Sequence, residues 1–87
     1  MSEAAFQSKL INRYEKAGWY VIKLIQTNRN GVGDLLLLPS TELRTQGNEP
    51  FFIEAKATHG RVSPLQIYRH KEIKEKTGYD TIVMIEP

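Results

Sequence analysis

Three charged residues lie within or beside apolar segments, where charge is uncommon. Glu54 and Lys56 are two apart in the apolar stretch 51–56, and Asp34 directly precedes the apolar run 35–38. Alternate residues of a strand share one face, so Glu54 and Lys56 are expected to project together. Two carboxylates open to solvent can hold a hard divalent cation, and such an ion polarises a phosphodiester oxygen and lowers the pKa of bound water. This residue set favours metal-assisted phosphodiester hydrolysis.

Lys56 has two candidate tasks beside such a cation. Its ammonium group can orient or help deprotonate the attacking water, or it can stabilise negative charge on the phosphate. The main-chain carbonyl of Ala55, between the two charged residues, can supply a further oxygen ligand. The chain has no cysteine, and the spacing of His59 and His70 matches no common zinc site. Oxygen ligands remain, so we expect Mg²⁺ or Mn²⁺ as the cofactor.

Two helices and four strands are predicted to position these residues, in the order α-β-β-β-α-β. The first helix follows from apolar residues at intervals of three or four, and the second from an N-cap, a proline and a possible capping box at residues 63–66. Strands 35–38 and 51–56 are expected to pair as an antiparallel hairpin with a mobile polar tip, which brings Asp34 close to the 54–56 stretch. The last strand is expected to be buried. The predicted elements cover residues 3–17, 19–25, 35–38, 51–56, 64–77 and 79–86.

Length and composition limit the chain to a small folded domain. A chain of 87 residues can build one core, so residues 1–87 are treated as a single domain. Apolar residues make up 40% and charged residues 25%, as in ordinary globular proteins. No apolar run is long enough to cross a bilayer, and the N-terminal residues do not have the pattern of a secretion signal. We therefore expect a cytoplasmic protein, and its net charge of +2 is compatible with a nucleic-acid partner.

These features together resemble those of a known family. Gly33-Asp34, a hairpin, Glu54-Ala55-Lys56 and a helix that starts near Gln66 are similar to the PD-(D/E)xK nuclease superfamily. More narrowly, they resemble the virus-type replication-repair nuclease domain (VRR-NUC). Its stand-alone members, often from phages, are similar to Holliday junction resolvases in fold and dimeric arrangement. The resemblance covers nearly the whole chain from Glu3 onward, although Gly33 stands where many members have proline.

The resemblance implies a role for each matching residue. Asp34 and Glu54 would be metal ligands, Lys56 the catalytic lysine, Gln66 a glutamine that supports the site, and Glu3 an acid that reaches the metal or its water. The implied fold is the α/β, restriction-endonuclease-like core, with a mixed central sheet flanked by helices. The implied activity is that of a metal-dependent DNA endonuclease selective for branched DNA such as four-way junctions, in a bacterial or phage-infected host cell.

A homodimer is expected from size as well as from resemblance. A single surface of 87 residues offers little grip on a branched duplex, whereas a two-fold dimer presents two sites to two strands. Arg29 and Arg61, in the loops that flank the carboxylates, are the candidate contacts to DNA phosphates.

Each of these residues also has a simpler explanation. Asp34 can close a turn after a glycine, and Glu54 and Lys56 can belong to a solvated strand face. Gln66 can serve only as the capping-box residue of its helix, and Glu3 can be a favourable acid in the first helical turn. The competing functions are a non-catalytic nucleic-acid or protein-interaction module on the same fold, and a flap or duplex nuclease without preference for junctions.

Overall fold

The computed structural model describes residues 2–87, which form three helices and four strands. The order differs from the predicted α-β-β-β-α-β, because a short helix divides the second strand from the third. No helix within residues 2–87 is long and apolar enough to cross a membrane. The elements are α1 (Glu3–Lys16), β1 (Trp19–Lys23), β2 (Leu35–Pro39), α2 (Thr41–Thr45), β3 (Phe51–Lys56), α3 (Pro64–Thr77) and β4 (Thr81–Ile85).

The four strands form one mixed sheet in the order β1-β2-β3-β4. β1 pairs with β2 and β2 with β3 in antiparallel fashion, whereas β3 and β4 are parallel. The predicted hairpin is present, with Leu35 opposite Ile53. β3 has a neighbour on each side. The predicted α/β class and mixed sheet are therefore confirmed.

The hydrophobic core lies between α1 and one face of the sheet. Its buried side chains come from the helix stripe that starts with Phe6 and Leu10 and from alternate positions of β2 and β3. The helix starts at Ser2, whose side-chain oxygen accepts a hydrogen bond from the Ala5 N–H at 3.1 Å. Because successive residues of a strand point to opposite faces, the Ile53 side chain lies in this core and the side chain of its neighbour Glu54 lies on the other face of the sheet. The buried core residues are Phe6, Leu10, Leu35, Leu37, Ile53 and Ala55.

The connection between β2 and β3 is not the extended loop that the sequence suggested, because it contains α2. Ser40 caps that helix by accepting a hydrogen bond from the Leu43 N–H at 3.2 Å. The Asn48 side chain donates to the Leu43 carbonyl at 3.0 Å and closes the C-terminal end. A Cβ at Gly18 would lie 3.2 Å from the Leu43 side chain, so α2 also packs against the start of the sheet. Capping and packing thus order a segment whose composition suggested a loop.

The prediction that the last strand is buried is also wrong. β4 is an edge strand with a single neighbour, and Ile82, Val83 and Ile85 are 42%, 37% and 51% exposed. The adjoining helix α3 does not cover these side chains. None of its own residues is buried, and its Ile67 and Tyr68 are exposed. An apolar sequence favours a strand whose side chains are buried, but within residues 2–87 no other segment buries the apolar side chains of β4.

Candidate active site

Asp34 is held at the point where the loop after β1 enters β2. Its backbone N–H donates to the carbonyl of Ile53, and its carbonyl accepts from the N–H of Leu24, both at 2.8 Å. The preceding residue must be small, because a Cβ at Gly33 would lie 2.9 Å from the Ile53 carbonyl oxygen. The glycine therefore allows the loop to approach β3 closely, so that Asp34 lies next to that strand.

The Asp34 side chain reaches the stretch that carries the other two charged residues. Its Oδ2 accepts a hydrogen bond from the Ala55 N–H at 2.8 Å. The expected convergence of Asp34 with residues 54–56 is thus present. Since the N–H and C=O of one strand residue lie on the same strand edge, the Ala55 carbonyl lies on the edge that faces Asp34. This position suits the ligand role predicted for that carbonyl.

Glu54 is almost fully buried, with 1% of its surface exposed, on the sheet face opposite the core. Its two oxygens have different neighbours. Oε1 lies 3.3 Å from His70 Nε2 on α3, and Oε2 lies 3.9 Å from the Lys56 ammonium nitrogen. The Lys56 side chain is itself only 13% exposed. A solvated strand face, the simpler explanation for this pair, does not describe side chains buried to this degree.

The electrostatics of Glu54 show that its charge is undercompensated. Burial raises the pKa of Glu54 to about 8, and a hydrogen bond with Asp34 and the Asp34 charge act in the same direction. The Glu3 charge raises the Glu54 pKa further, whereas Lys56 lowers it. The pair of Asp34 and Glu54 therefore favours binding a proton. Two adjacent carboxyls that need a proton to coexist are a donor set for a cation, because a divalent ion would supply the missing positive charge.

The oxygen donors in this site fit Mg²⁺ or Mn²⁺ better than a transition metal that favours nitrogen or sulfur. Residues 2–87 contain no group of three or more His, Cys, Asp or Glu side chains arranged to hold a metal ion. A cation here would take Asp34, Glu54 and the Ala55 carbonyl from the protein and complete its shell with water. Magnesium commonly binds in this way, through one or two carboxylates and several waters.

Two further predicted residues lie at the margin of the site. Glu3 is exposed at the start of α1, and its effect on the Glu54 pKa places it within electrostatic range. Gln66 forms the capping box of α3: its Oε1 accepts from the Ser63 N–H at 2.9 Å, and its own N–H donates to Ser63 Oγ at 3.2 Å. The capping explanation for Gln66 is therefore present in the structure, and its supporting role at the site stays a prediction.

The two candidate phosphate contacts lie in the loops on either side. The Arg29 side chain is 59% exposed, with Nη1 4.0 Å from a Glu72 oxygen, and Arg61 is exposed in the loop before α3. The loop after β1 lines a cleft of about 280 Å³ that extends from Leu24 to Asp34 and includes Arg29. Arg69 ties this loop to α3 by donating from Nε to the Asn30 carbonyl at 2.8 Å. Arg29 thus borders a polar cleft that ends at Asp34, whereas Arg61 is not among the residues that line it.

His70 is the residue that sequence reasoning missed. The spacing of the two histidines matches no common zinc site, yet the ring of His70 contacts Glu54. A signal was available, since His70 follows Gln66 by four residues and residues four apart share one helix face. Once Gln66 is placed toward the site, His70 should face it as well.

Comparisons with known proteins identify no relative of this chain. No family model matches the sequence, and no curated protein or solved structure gives a match. The buried Glu54, with Asp34, Lys56 and His70 beside it, is therefore the basis on which the function is argued.

Proposed function

We propose that the protein is a metal-dependent DNA endonuclease of the PD-(D/E)xK type, similar to stand-alone VRR-NUC domains. The observation that carries the proposal is the buried carboxyl of Glu54 beside Asp34, in which the Glu54 pKa is raised to about 8 and the Lys56 ammonium group lies 3.9 Å away. A protein that only bound DNA would gain nothing from burying these charges, whose burial is costly. The proposed setting is DNA replication or repair in the cytoplasm of a bacterial or phage-infected cell.

The residues of the chain divide the chemistry among them. Asp34, Glu54 and the Ala55 carbonyl would hold Mg²⁺ or Mn²⁺, which when bound polarises the phosphodiester and lowers the pKa of a water. Lys56 stands beside the ligand Glu54, where its ammonium group can orient or deprotonate water or stabilise charge on the phosphate. The side chains of Arg29 and Arg61 would hold flanking phosphates.

The activity is tested by incubating labelled four-way junction, flap, linear duplex and single-stranded DNA with the protein in magnesium, in manganese and in EDTA. We expect cleavage with either metal, none in EDTA, and the fastest cleavage on the junction. Faster cleavage of a flap or a duplex would correct the substrate and keep the nuclease. Tight binding without metal dependence or cleavage of any DNA would instead support a non-catalytic binding module.

The proposed working form is a homodimer that uses α3 and β4. In support, α3 buries none of its residues and exposes Leu65, Ile67 and Tyr68, and the edge strand β4 exposes Ile82 and Ile85. Large exposed apolar patches are rare on monomeric proteins, and where they occur they often mark a protein interface. A second copy related by a two-fold axis would cover the same elements on both chains.

Light scattering should give twice the monomer mass of 10.0 kDa. Ile67→Lys should shift the protein to monomer, because a charge in a buried apolar contact is strongly unfavourable. The matched control is Tyr20→Lys on β1, which changes a residue 67% exposed at the opposite sheet edge and should leave the dimer intact. A monomeric wild type at working concentration would contradict the dimer.

A further inference from the structure

The contact between His70 and Glu54 joins α3 to the proposed metal site. His70 Nε2 lies 3.3 Å from Glu54 Oε1, and the His70 side chain is 12% exposed. Within residues 2–87, Glu54 is the hydrogen-bond partner that the structure gives this ring. The two oxygens of the Glu54 carboxyl therefore have different partners: Oε1 contacts His70 on α3, and Oε2 lies nearer Lys56.

A carboxylate that ligates a cation through one oxygen must hold that oxygen in place. A hydrogen bond to the second oxygen does this, because it fixes the rotation of the group. Partners of this kind commonly alter metal affinity by about 10- to 100-fold when they are removed. Asp34 has such a partner in the Ala55 N–H, which occupies Oδ2 at 2.8 Å. His70 stands in the corresponding position for Glu54.

We propose that His70 is a positioning residue whose Nε2–H donates to Glu54 Oε1 and so leaves Oε2, the oxygen nearer Lys56, to the cation. This inference rests on the proposed metal site. A neutral imidazole can carry its proton on Nε2, so this hydrogen bond does not require a charged ring.

A purely structural role for His70 explains the contact less well. Arg69 docks α3 on the loop after β1 through its bond to the Asn30 carbonyl, while the Ser63 and Gln66 capping box and the left-handed cap at Gly78 stabilise the two ends of the helix. These anchors do not involve His70. Replacement of the ring should therefore change the site more than it changes the docking of the helix.

The test measures Mn²⁺ affinity by titration calorimetry at pH 7.5 for wild type, His70→Gln and His70→Leu. His70→Leu removes the donor and should weaken Mn²⁺ binding by about 10- to 100-fold. His70→Gln carries an amide nitrogen at a reach similar to that of Nε2 and should retain most of the affinity. His59→Asn is the matched control at the other histidine, which is exposed and has a positive φ of 66° that asparagine tolerates. Thermal melts in EDTA check that each variant is folded.

The possible outcomes separate this inference from the proposed nuclease. Wild-type affinity in His70→Leu would overturn the positioning role while leaving the nuclease intact. A folded His70→Gln that binds as weakly as His70→Leu would also overturn it. If His70→Leu does not fold, the affinity of His70→Gln decides: weak Mn²⁺ binding overturns the positioning role, and near-wild-type binding supports it. A wild type that binds Mn²⁺ but cuts no DNA would overturn the nuclease and not the role of His70. A wild type that does not bind Mn²⁺ would overturn both.

Discussion

Lys56→Met is expected to reduce DNA cleavage by about a thousandfold while leaving the fold in place. Removing a positioned proton-transfer group costs about 10²- to 10⁴-fold, and the Lys56 nitrogen lies 3.9 Å from a Glu54 oxygen. Methionine retains most of the apolar stem and removes only the charge, so packing around β3 is preserved. The measurement is the single-turnover rate on the best substrate at saturating Mn²⁺.

The same variant should also bind Mn²⁺ less tightly at a given pH. Lys56 lowers the Glu54 pKa, so its loss raises that pKa further and more of the carboxyl is protonated in the absence of metal. Saturating Mn²⁺ at pH 8.5 removes this effect from the rate comparison. Lys16→Met, an exposed lysine at the far end of α1, is the control and should cut at the wild-type rate. Full activity in folded Lys56→Met would exclude Lys56 from catalysis.

Glu54→Gln is expected to stabilise the metal-free protein at pH 9 while abolishing its response to metal. The folded-state pKa of Glu54, about 8, is raised above its ordinary value of 4.5. Between these values the folded state binds more protons than the unfolded state, so wild-type stability falls as pH rises through this window and is flat above it. Glutamine is neutral at every pH and can donate to Asp34 as protonated glutamate does. The gain at pH 9 should be on the order of a few kcal/mol, because each pKa unit corresponds to about 1.4 kcal/mol.

Thermal melts in EDTA at pH 5 and pH 9 check this expectation. The two proteins should differ little at pH 5, and Glu54→Gln should melt at the higher temperature at pH 9. Addition of Mn²⁺ at pH 9 should raise the melting temperature of wild type alone, since a ligand stabilises the folded state that binds it. Glu15→Gln on α1 serves as the control and should follow wild type throughout. A destabilised Glu54→Gln at pH 9 would mean that the folded protein already compensates the Glu54 charge.

Much of the fold was predictable because its signals are local. The apolar stripe of α1, the capping box of α3 and the paired runs of β2 and β3 are each encoded within a few residues. The helix α2 was missed because Gly47 and the polar residues around it suggested a loop, although Ser40 is a good N-cap. The exposure of β4 could not be predicted, because strand order depends on pairing between distant segments and not on composition.

The candidate site was predictable in part for the same reason. Spacing on one strand gives the shared face of Glu54 and Lys56, and the hairpin gives the approach of Asp34. The spacing of Gln66 and His70 gives their shared helix face, but the contact of His70 with Glu54 also depends on how α3 lies across the sheet. The raised Glu54 pKa likewise follows from burial by several elements together.

The absence of buried residues in α3 has a consequence for how the site opens. Asp34, Glu54 and Lys56 are carried by the sheet, whose core side chains are fully buried, whereas His70 and Gln66 are carried by a helix held largely by polar contacts. Segments with little buried apolar surface undergo local unfolding at lower free energy than the core. Transient detachment of α3 would therefore uncover Glu54 without disturbing the strand that bears it, and amide hydrogen exchange would be faster in this helix than in β3.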